Sequence, residues 1–178
     1  MAFDATVKGA NATSLVTVAD ANTYFEERLG TTTWDASTVA NKEKSLIMAS
    51  RYFDQMHYRG EKTTTTQALA WPRRYVPDPD PSKTQWGQSF RLRDDFLDED
   101  TIPKRVIYAT CELAQKLLAS PTLVEDPSLR QFKELEVSGV VKLVINSNSL
   151  ERVVDRQQMN FLAPLLENSN LAVKLKRI

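Results

Sequence analysis

Aromatic and arginine side chains stand together in one short segment, Trp71-Pro72-Arg73-Arg74-Tyr75. Aromatic rings can stack on nucleobases and guanidinium groups can bind phosphates, so this segment could contact a nucleic acid. The alternative is structural: Trp71 packs between two long helices while the arginines pair with an acidic stretch. The sequence favours the structural interpretation for Trp71 and decides less firmly between the two for the arginines.

Pro72 determines how the chain passes through this segment. Its ring fixes its own backbone and biases the preceding Trp71 towards an extended conformation, so a helix cannot continue here. We therefore predict an extended connector between two amphipathic helices, with Trp71 buried and Arg73 tethering the acidic stretch. Trp71, Pro72 and Arg73 are the predicted structural signature of the chain.

Side chains that commonly perform catalysis or bind metals are scarce. His57 is the single histidine, and only Asp54 lies at helical spacing from it, so a surface or capping role is favoured over a metal site. Cys111 falls within an apolar helix, where a small buried cysteine is usually inert. The five glycines are isolated and form no phosphate-binding loop. We predict a protein that is not an enzyme and holds no metal or cofactor.

Opposite charges balance over the chain as a whole. Lysine and arginine together number 23, and so do aspartate and glutamate. A general nucleic-acid binder usually carries a basic excess, so this balance counts against that class. The acidic stretch at residues 94–100 lacks the glycine and the alternating ligand order of a calcium loop, and we predict a solvated loop there.

Length and composition indicate an ordinary folded domain. The chain has 178 residues, of which 42% are hydrophobic and 26% are charged. A single cysteine excludes an internal disulfide. No apolar run reaches the length of a signal peptide or a membrane span, so we expect an intracellular protein with no membrane partner.

The elements that must position these side chains are mainly helical. Apolar periodicity predicts helices at about residues 37–57 and 103–119, and Asp20 is the predicted N-cap of a shorter helix that ends at Gly30. β-Branched residues on both sides of Gly139 predict a hairpin. The predicted fold class is mainly α, a small helical bundle with a β-hairpin and an extended C-terminal tail.

Four regions follow from these elements. They are an N-terminal arm at residues 1–15, of which about the first eleven look unanchored, a helical core at 16–132 with a long irregular loop at 60–101, the β-hairpin at 133–146, and a C-terminal extension at 147–178. The last eight residues of the extension alternate like a strand that has no neighbour in sequence. Because an isolated strand is unstable, we expect it to add to another sheet or to a partner.

Several motifs follow one another along the helical core: Tyr24-Phe25 with Arg28, Lys42-Glu43, Arg51-Tyr52-Phe53-Asp54, Tyr58-Arg59-Gly60, Gln67-Ala68-Leu69-Ala70-Trp71-Pro72-Arg73 and Ile102-Pro103. In this order they resemble phage proteins of the DnaT-like family, over about residues 16–145. Proteins that look like this occur among tailed-phage virion genes as head-to-tail adaptors, also called connector or head completion proteins.

The resemblance implies a structural virion protein that forms a dodecameric ring between portal and tail and extends the DNA channel. Its implied partners are the portal protein, neighbouring adaptor subunits, a tail-side connector or tail tube or nozzle protein, and genomic double-stranded DNA that passes without sequence-specific binding. Its implied location is the head-tail junction of the virion, after synthesis in the host cytoplasm. The family label also refers to a replication protein that binds single-stranded DNA, and this is the alternative function. Charge balance favours the adaptor, since tight phosphate binding would hinder passage of the genome.

Two sets of residues are predicted to make the contacts of such a ring. The C-terminal extension is predicted to dock on the portal or a neighbour through Phe161, Leu165, Leu171, Val173, Lys174, Leu175, Lys176 and Arg177. The hairpin is predicted to contact a neighbouring subunit or the tail through Val137, Gly139 and Val141. The first set rests on the unpaired alternation of the tail.

Overall fold

The described part of the chain in this computed structural model comprises residues 2–79, 96–121, 135–137, 141–143 and 154–167. Within these residues the helices are α1 (Val18–Glu26), α2 (Thr32–Asp35), α3 (Val39–Asp54), α4 (Lys104–Ala119) and α5 (Arg156–Leu162), and a 3-10 turn follows at Ala163–Leu165. The strands are β1 (Glu61–Lys62), β2 (Arg73–Arg74), β3 (Leu135–Val137) and β4 (Val141–Leu143), which pair antiparallel as β1–β2 and β3–β4. The predicted mainly helical fold with a β-hairpin is confirmed. The predicted tail beyond residue 167 lies outside the described residues.

The helices begin where the sequence supplies a cap or a proline. Thr38 precedes α3 and its hydroxyl accepts a hydrogen bond from the Asn41 amide at 3.3 Å. Pro103 precedes α4, where the missing N–H of a proline removes no helical hydrogen bond. The N-cap of α1 is Thr17, whose hydroxyl accepts a hydrogen bond from the Asp20 amide at 3.0 Å. The prediction of Asp20 as the cap is therefore wrong. Asp20 lies in the first turn, where its carboxylate interacts favourably with the helix dipole.

Helix α4 is the central element of the core, and it packs most extensively against α3 and α5. Its side chains at three- and four-residue spacing, Val106, Ala109, Leu113 and Leu117, are at most 2% exposed. Full burial of each large apolar side chain contributes about 1.5–3 kcal/mol. The core therefore follows from the amphipathic pattern of the long helices. Within the described residues, no helix is long and apolar enough to span a membrane.

A partly buried ion pair joins the end of α1 to α4. Arg28 donates to both carboxylate oxygens of Glu112, at 2.5 and 2.7 Å, and the Tyr24 hydroxyl donates to the same carboxylate at 2.5 Å. Glu112 is only 7% exposed, so its charge depends on these donors. Burial, together with the bond to Glu112, raises the pKa of Tyr24.

The N-terminal arm is anchored, contrary to the prediction. The Leu15 amide donates to the Ser50 hydroxyl of α3 at 2.9 Å, and the Ala68 amide donates to the Gly9 carbonyl at 3.0 Å. Leu15 is 4% exposed. The arm was unrecognisable in the sequence because its contacts are loop hydrogen bonds and single buried residues, which have no periodicity.

Residues 154–167 also pack into the helical core. Asp155 and Gln158 form a capping box at the start of α5, and Leu162 and Leu165 are fully buried. The Arg59 amide donates to the Leu165 carbonyl at 3.0 Å. This part of the predicted C-terminal extension therefore belongs to the fold of the chain itself.

Candidate nucleic-acid interface

The aromatic and arginine segment forms one side of the antiparallel β1–β2 ribbon, in which Glu61 pairs with Arg74 and Lys62 with Arg73. Gly60 precedes β1 with a φ of +69°, and a Cβ there would overlap the carbonyl oxygen of Arg74. Only glycine fits both the conformation and the close approach. The loop predicted as irregular at residues 60–101 therefore begins with paired strands. Two-residue strands are too short to leave an alternating pattern in the sequence.

Arg73 is bound to the backbone of the ribbon and its surroundings. Its guanidinium donates to the carbonyl oxygens of Arg59, Tyr58, Gly60 and Ala70 at 2.8, 3.2, 2.5 and 3.3 Å. Burial lowers the pKa of Arg73. These contacts replace the predicted tether to the acidic stretch, because four carbonyl groups converge on this one side chain. The Arg73 guanidinium is thereby engaged within the protein.

Trp71 is 2% exposed and packs edge to face against Tyr58, with 5.3 Å between ring centroids. The peptide bond between Trp71 and Pro72 is cis. Gln67 holds the same turn, since its side-chain amide donates to the Leu69 and Pro72 carbonyls at 2.9 Å each. Burial leaves the indole without a face on which a nucleobase could stack.

Tyr75, which follows the two arginines, is exposed, and the side chain of Arg74 is half-exposed. The Arg74 side chain is 41% exposed and Tyr75 is 58% exposed. The guanidinium carbon of Arg74 lies 5.4 Å from the centroid of the Tyr75 ring, within the range of a cation–π interaction. Tyr75 has a φ of +61°, which is rare for a bulky residue. Strain of this kind concentrates at functional sites, where the surrounding structure holds it in place.

Phe96 lies beside Tyr75 although the two are far apart in sequence. The Leu97 amide donates to the Val76 carbonyl at 2.9 Å, and Phe96 bridges to Pro77. Phe96 is 51% exposed, and its ring centroid lies 6.3 Å from that of Tyr75 at an interplanar angle of 82°. We call Arg74, Tyr75 and Phe96 the exposed platform. Sequence reasoning missed Phe96, since it is a single aromatic residue beside acidic ones and no local pattern marks it.

One carboxylate contacts the exposed platform, and three more follow Phe96 in sequence. Glu61 accepts a hydrogen bond from the Arg74 guanidinium at 3.0 Å and is itself 57% exposed. Asp98, Glu99 and Asp100 follow Phe96 and are exposed. Asp100 forms an ion pair with Lys8 of the N-terminal arm. The described part of the acidic stretch is thus solvated, and residues 94 and 95 lie outside the described residues.

The other candidates for chemistry have structural surroundings. His57 is exposed and its carbonyl accepts a hydrogen bond from the Glu167 amide at 3.0 Å. Asp54 accepts a hydrogen bond from the Ala70 amide at 2.5 Å. Cys111 is fully buried, and burial raises the pKa of its thiol. In the part of the chain that the structure describes, no group of three or more histidine, cysteine, aspartate or glutamate side chains could hold a metal ion.

A polar cleft of about 460 Å³ lies beside α1, α2 and the start of α3. Two of the cations that line it are engaged with neighbours: Arg28 binds Glu112, and the Lys42 ammonium lies 5.1 Å from the centroid of the Trp34 ring. The Asn22 side-chain oxygen accepts the indole N–H of Trp34 at 3.0 Å. These contacts stabilise the junction of the three helices.

The residues predicted to bind partners fall in several places. Leu165 is fully buried, and Phe161 is half-buried with its ring centroid 6.1 Å from that of Tyr108 in α4. Val137 and Val141 are paired at the end of β3 and the start of β4. Gly139, Leu171, Val173, Lys174, Leu175, Lys176 and Arg177 lie outside the described residues.

Comparison with known proteins yields a family match over the whole chain. A family model described as "Putative DnaT-like ssDNA binding protein" matches residues 1–178. No curated protein and no solved structure shows significant similarity to the chain.

The family match corrects the function that was predicted first. Its description is of single-stranded DNA binding, so the interpretation of the chain as a head-to-tail adaptor of the virion is wrong. The implied dodecameric ring, the portal, subunit and tail partners, and the passing double-stranded DNA are corrected with it. The charge argument failed because net charge describes the whole chain, whereas binding depends on a few side chains at one surface. The location at the head-tail junction stays a prediction, but it depended on the adaptor interpretation, which is wrong.

Proposed function

The chain belongs to the DnaT-like ssDNA binding protein family, and we propose that it binds single-stranded DNA at the exposed platform. The observation that carries this proposal is the pair of half-exposed rings, Tyr75 and Phe96, beside the half-exposed guanidinium of Arg74. This is the combination that sequence-tolerant binding of single strands requires, a stacking surface next to a cation.

Stacking supplies most of the affinity in this proposal. Each base that stacks on an aromatic side chain contributes about 1–3 kcal/mol, and every base has a face that can stack. The bases of a duplex are already paired and stacked, so they are not free to cover the Tyr75 and Phe96 rings. We therefore expect a preference for single strands over duplex DNA and little preference among sequences.

Phosphate contact is assigned to Arg74. The neighbouring cations of the ribbon bind backbone carbonyl groups, whereas Arg74 pairs with a half-exposed carboxylate: Arg73 donates to four carbonyl oxygens, and the Lys62 ammonium donates to the Ala68 carbonyl at 3.1 Å. With few phosphates neutralised, the dependence on salt is shallow, at about 0.7 logarithmic units per phosphate contact on a single strand. A chain with balanced charge is compatible with this mode of binding.

The fold holds the exposed platform in place before DNA arrives. Gly60 and the carbonyl contacts of Arg73 fix the turn into the ribbon, and the hydrogen bond from Leu97 to Val76 fixes the position of the Phe96 backbone. Binding to a preorganised surface loses less conformational entropy than binding that must first order a loop. We also propose that the protein is not an enzyme and that its role is to bind DNA during replication.

The test is fluorescence anisotropy of labelled single-stranded oligonucleotides with the wild type and with Arg74→Gln, Tyr75→Ala and Phe96→Ala. We expect each aromatic variant to lose about fivefold to 150-fold in affinity, which corresponds to the 1–3 kcal/mol of one stacked base. Leu29→Ala is the matched control, since Leu29 is 93% exposed and lies outside the exposed platform. Binding of duplex DNA of the same sequence should be weaker.

Two outcomes would contradict the proposal. One is that the wild type shows no binding at concentrations up to about 100 µM, the weak end of the range for non-specific nucleic-acid binding. The other is that it binds single strands with an affinity that none of the three platform variants changes, which would place the site elsewhere on the chain.

A further inference from the structure

Glu61 forms an ion pair with Arg74, the cation of the exposed platform. Its Oε1 lies 3.0 Å from the Nε of Arg74, and the two residues are direct partners across the β1–β2 ribbon. Both side chains are half-exposed, at 57% and 41%. A carboxylate and a phosphate offer a guanidinium the same kind of oxygen acceptor. A strand that reaches the exposed platform therefore meets a cation that already has an anion.

We propose that Glu61 sets the affinity of the exposed platform for single-stranded DNA by competing with phosphate for Arg74. This inference rests on the proposed function above and identifies a residue that opposes it. When a phosphate binds Arg74, the Glu61 carboxylate loses its partner and stays close to the strand, where like charges repel. The affinity for DNA is therefore lower than Arg74, Tyr75 and Phe96 would give without Glu61.

The exposure of the Arg74–Glu61 pair makes the exchange feasible. An ion pair between solvent-exposed side chains is weak, because water screens the charges and both side chains lose freedom in forming it. The partly buried pair of Arg28 with Glu112 differs, since Glu112 is 7% exposed and has a second donor in Tyr24. Phosphate can therefore displace Glu61 from Arg74 more readily than it could displace Glu112 from Arg28.

Glu61 could also have the opposite role, and the two roles predict opposite changes in DNA affinity when its carboxylate is removed. The same ion pair could hold Arg74 over the Tyr75 ring and so prepare the cation for DNA. In that case, removal of the carboxylate would free Arg74 to move and would weaken binding. If Glu61 competes with phosphate, its removal tightens the binding of DNA. If Glu61 orients Arg74, its removal weakens that binding.

The experiment measures the affinity of Glu61→Gln for a labelled single-stranded oligonucleotide over a series of salt concentrations. We expect the affinity at low salt to rise roughly twofold to fivefold, the range that corresponds to an exposed ion pair. The dependence of log affinity on log salt should steepen by up to about 0.7, the increment for one phosphate. Glu27→Gln is the matched control, because it changes net charge equally at an exposed residue next to α1.

Arg74→Gln supplies the background that isolates the competition. In that background we expect Glu61→Gln to raise affinity less than it does in the wild type, since the cation for which Glu61 and phosphate compete is gone and only the repulsion between Glu61 and the strand remains. Affinity that is unchanged or weaker in Glu61→Gln, or that rises equally in Glu27→Gln, would overturn the inference and leave the proposed function intact if Tyr75→Ala still loses binding. Absence of single-strand binding by the wild type would overturn both.

Discussion

The buried start and the exposed end of the segment 71–75 contain the same residue types in opposite surroundings. Trp71 is 2% exposed and Arg73 donates to four carbonyl oxygens, whereas Tyr75 is 58% exposed and Arg74 pairs with an exposed carboxylate. Arg73 and Arg74 are neighbours on β2, and successive side chains of a strand point to opposite faces. An aromatic residue beside an arginine therefore stabilises the fold at one end of the segment and is available to a ligand at the other.

Trp71→Ala and Tyr75→Ala should give the largest difference between the two ends. We expect Trp71→Ala to lower the free energy of unfolding by about 3–5 kcal/mol, because it leaves a cavity where the indole packs on Tyr58. Tyr75→Ala should change it by about 0.5 kcal/mol or less, as is usual for exposed residues. Urea unfolding of the two variants, fitted with the same dependence of free energy on urea concentration, measures both changes. Equal losses would show that Tyr75 also belongs to the core.

Arg73 and Arg74 should differ in both stability and binding. Arg73→Ala leaves carbonyl groups without their donor, and we expect a loss of about 1–3 kcal/mol in the free energy of unfolding. Arg74→Ala should lose at most about 1 kcal/mol, the upper value for an exposed ion pair. The order reverses for single-stranded DNA, where Arg74→Ala should weaken binding.

Arg73→Lys separates charge from geometry in this comparison. It keeps the positive charge, but a single ammonium nitrogen cannot reproduce the three guanidinium nitrogens that bind the four carbonyl oxygens. We expect thermal and urea unfolding to show a loss of stability like that of Arg73→Ala, with DNA affinity close to that of the wild type. A larger loss of affinity in Arg73→Lys than in Arg74→Ala would assign the phosphate contact to Arg73.

The smallest expected effect concerns the backbone of Tyr75. Because Tyr75 has a φ of +61°, Tyr75→Gly should be more stable than Tyr75→Ala by about 1 kcal/mol, since glycine adopts this conformation without a steric cost. Both variants should bind single-stranded DNA equally weakly, because both lack the ring. Urea unfolding of the two variants measures the difference, and equal stability would mean that the surrounding structure relaxes when the ring is removed.

Periodic segments of the sequence predicted the helical part of the fold well. The helices predicted at about residues 37–57 and 103–119 correspond to α3 (Val39–Asp54) and α4 (Lys104–Ala119), and the hairpin around residue 139 corresponds to β3 and β4. The anchored arm, the β1–β2 ribbon and the place of Leu165 in the core were missed. Each depends on contacts between residues far apart in the chain, such as the bond from Arg59 to Leu165.

The candidate site was predicted in part. Sequence reasoning identified the segment with Trp71, Arg73, Arg74 and Tyr75 and the chemistry of stacking and phosphate contact, but it ranked this function second. Phe96 and Glu61 were not identified. Both reach the exposed platform by backbone pairing, Phe96 with Pro77 and Glu61 with Arg74, and such short pairings leave no pattern in the sequence.

The sequence by itself determined the helices, the amphipathic faces that form the core, and the presence of an aromatic and arginine segment between them. These follow from local spacing, because helical periodicity and proline geometry act within a few residues. Only the tertiary structure decided which ring is exposed and which arginine is bound to backbone carbonyl groups. That choice depends on the turn at Gly60, on the carbonyl groups that converge on Arg73, and on the return of the chain at Phe96. Burial is a property of distant segments packed together, so adjacent residues of the same type can have opposite roles.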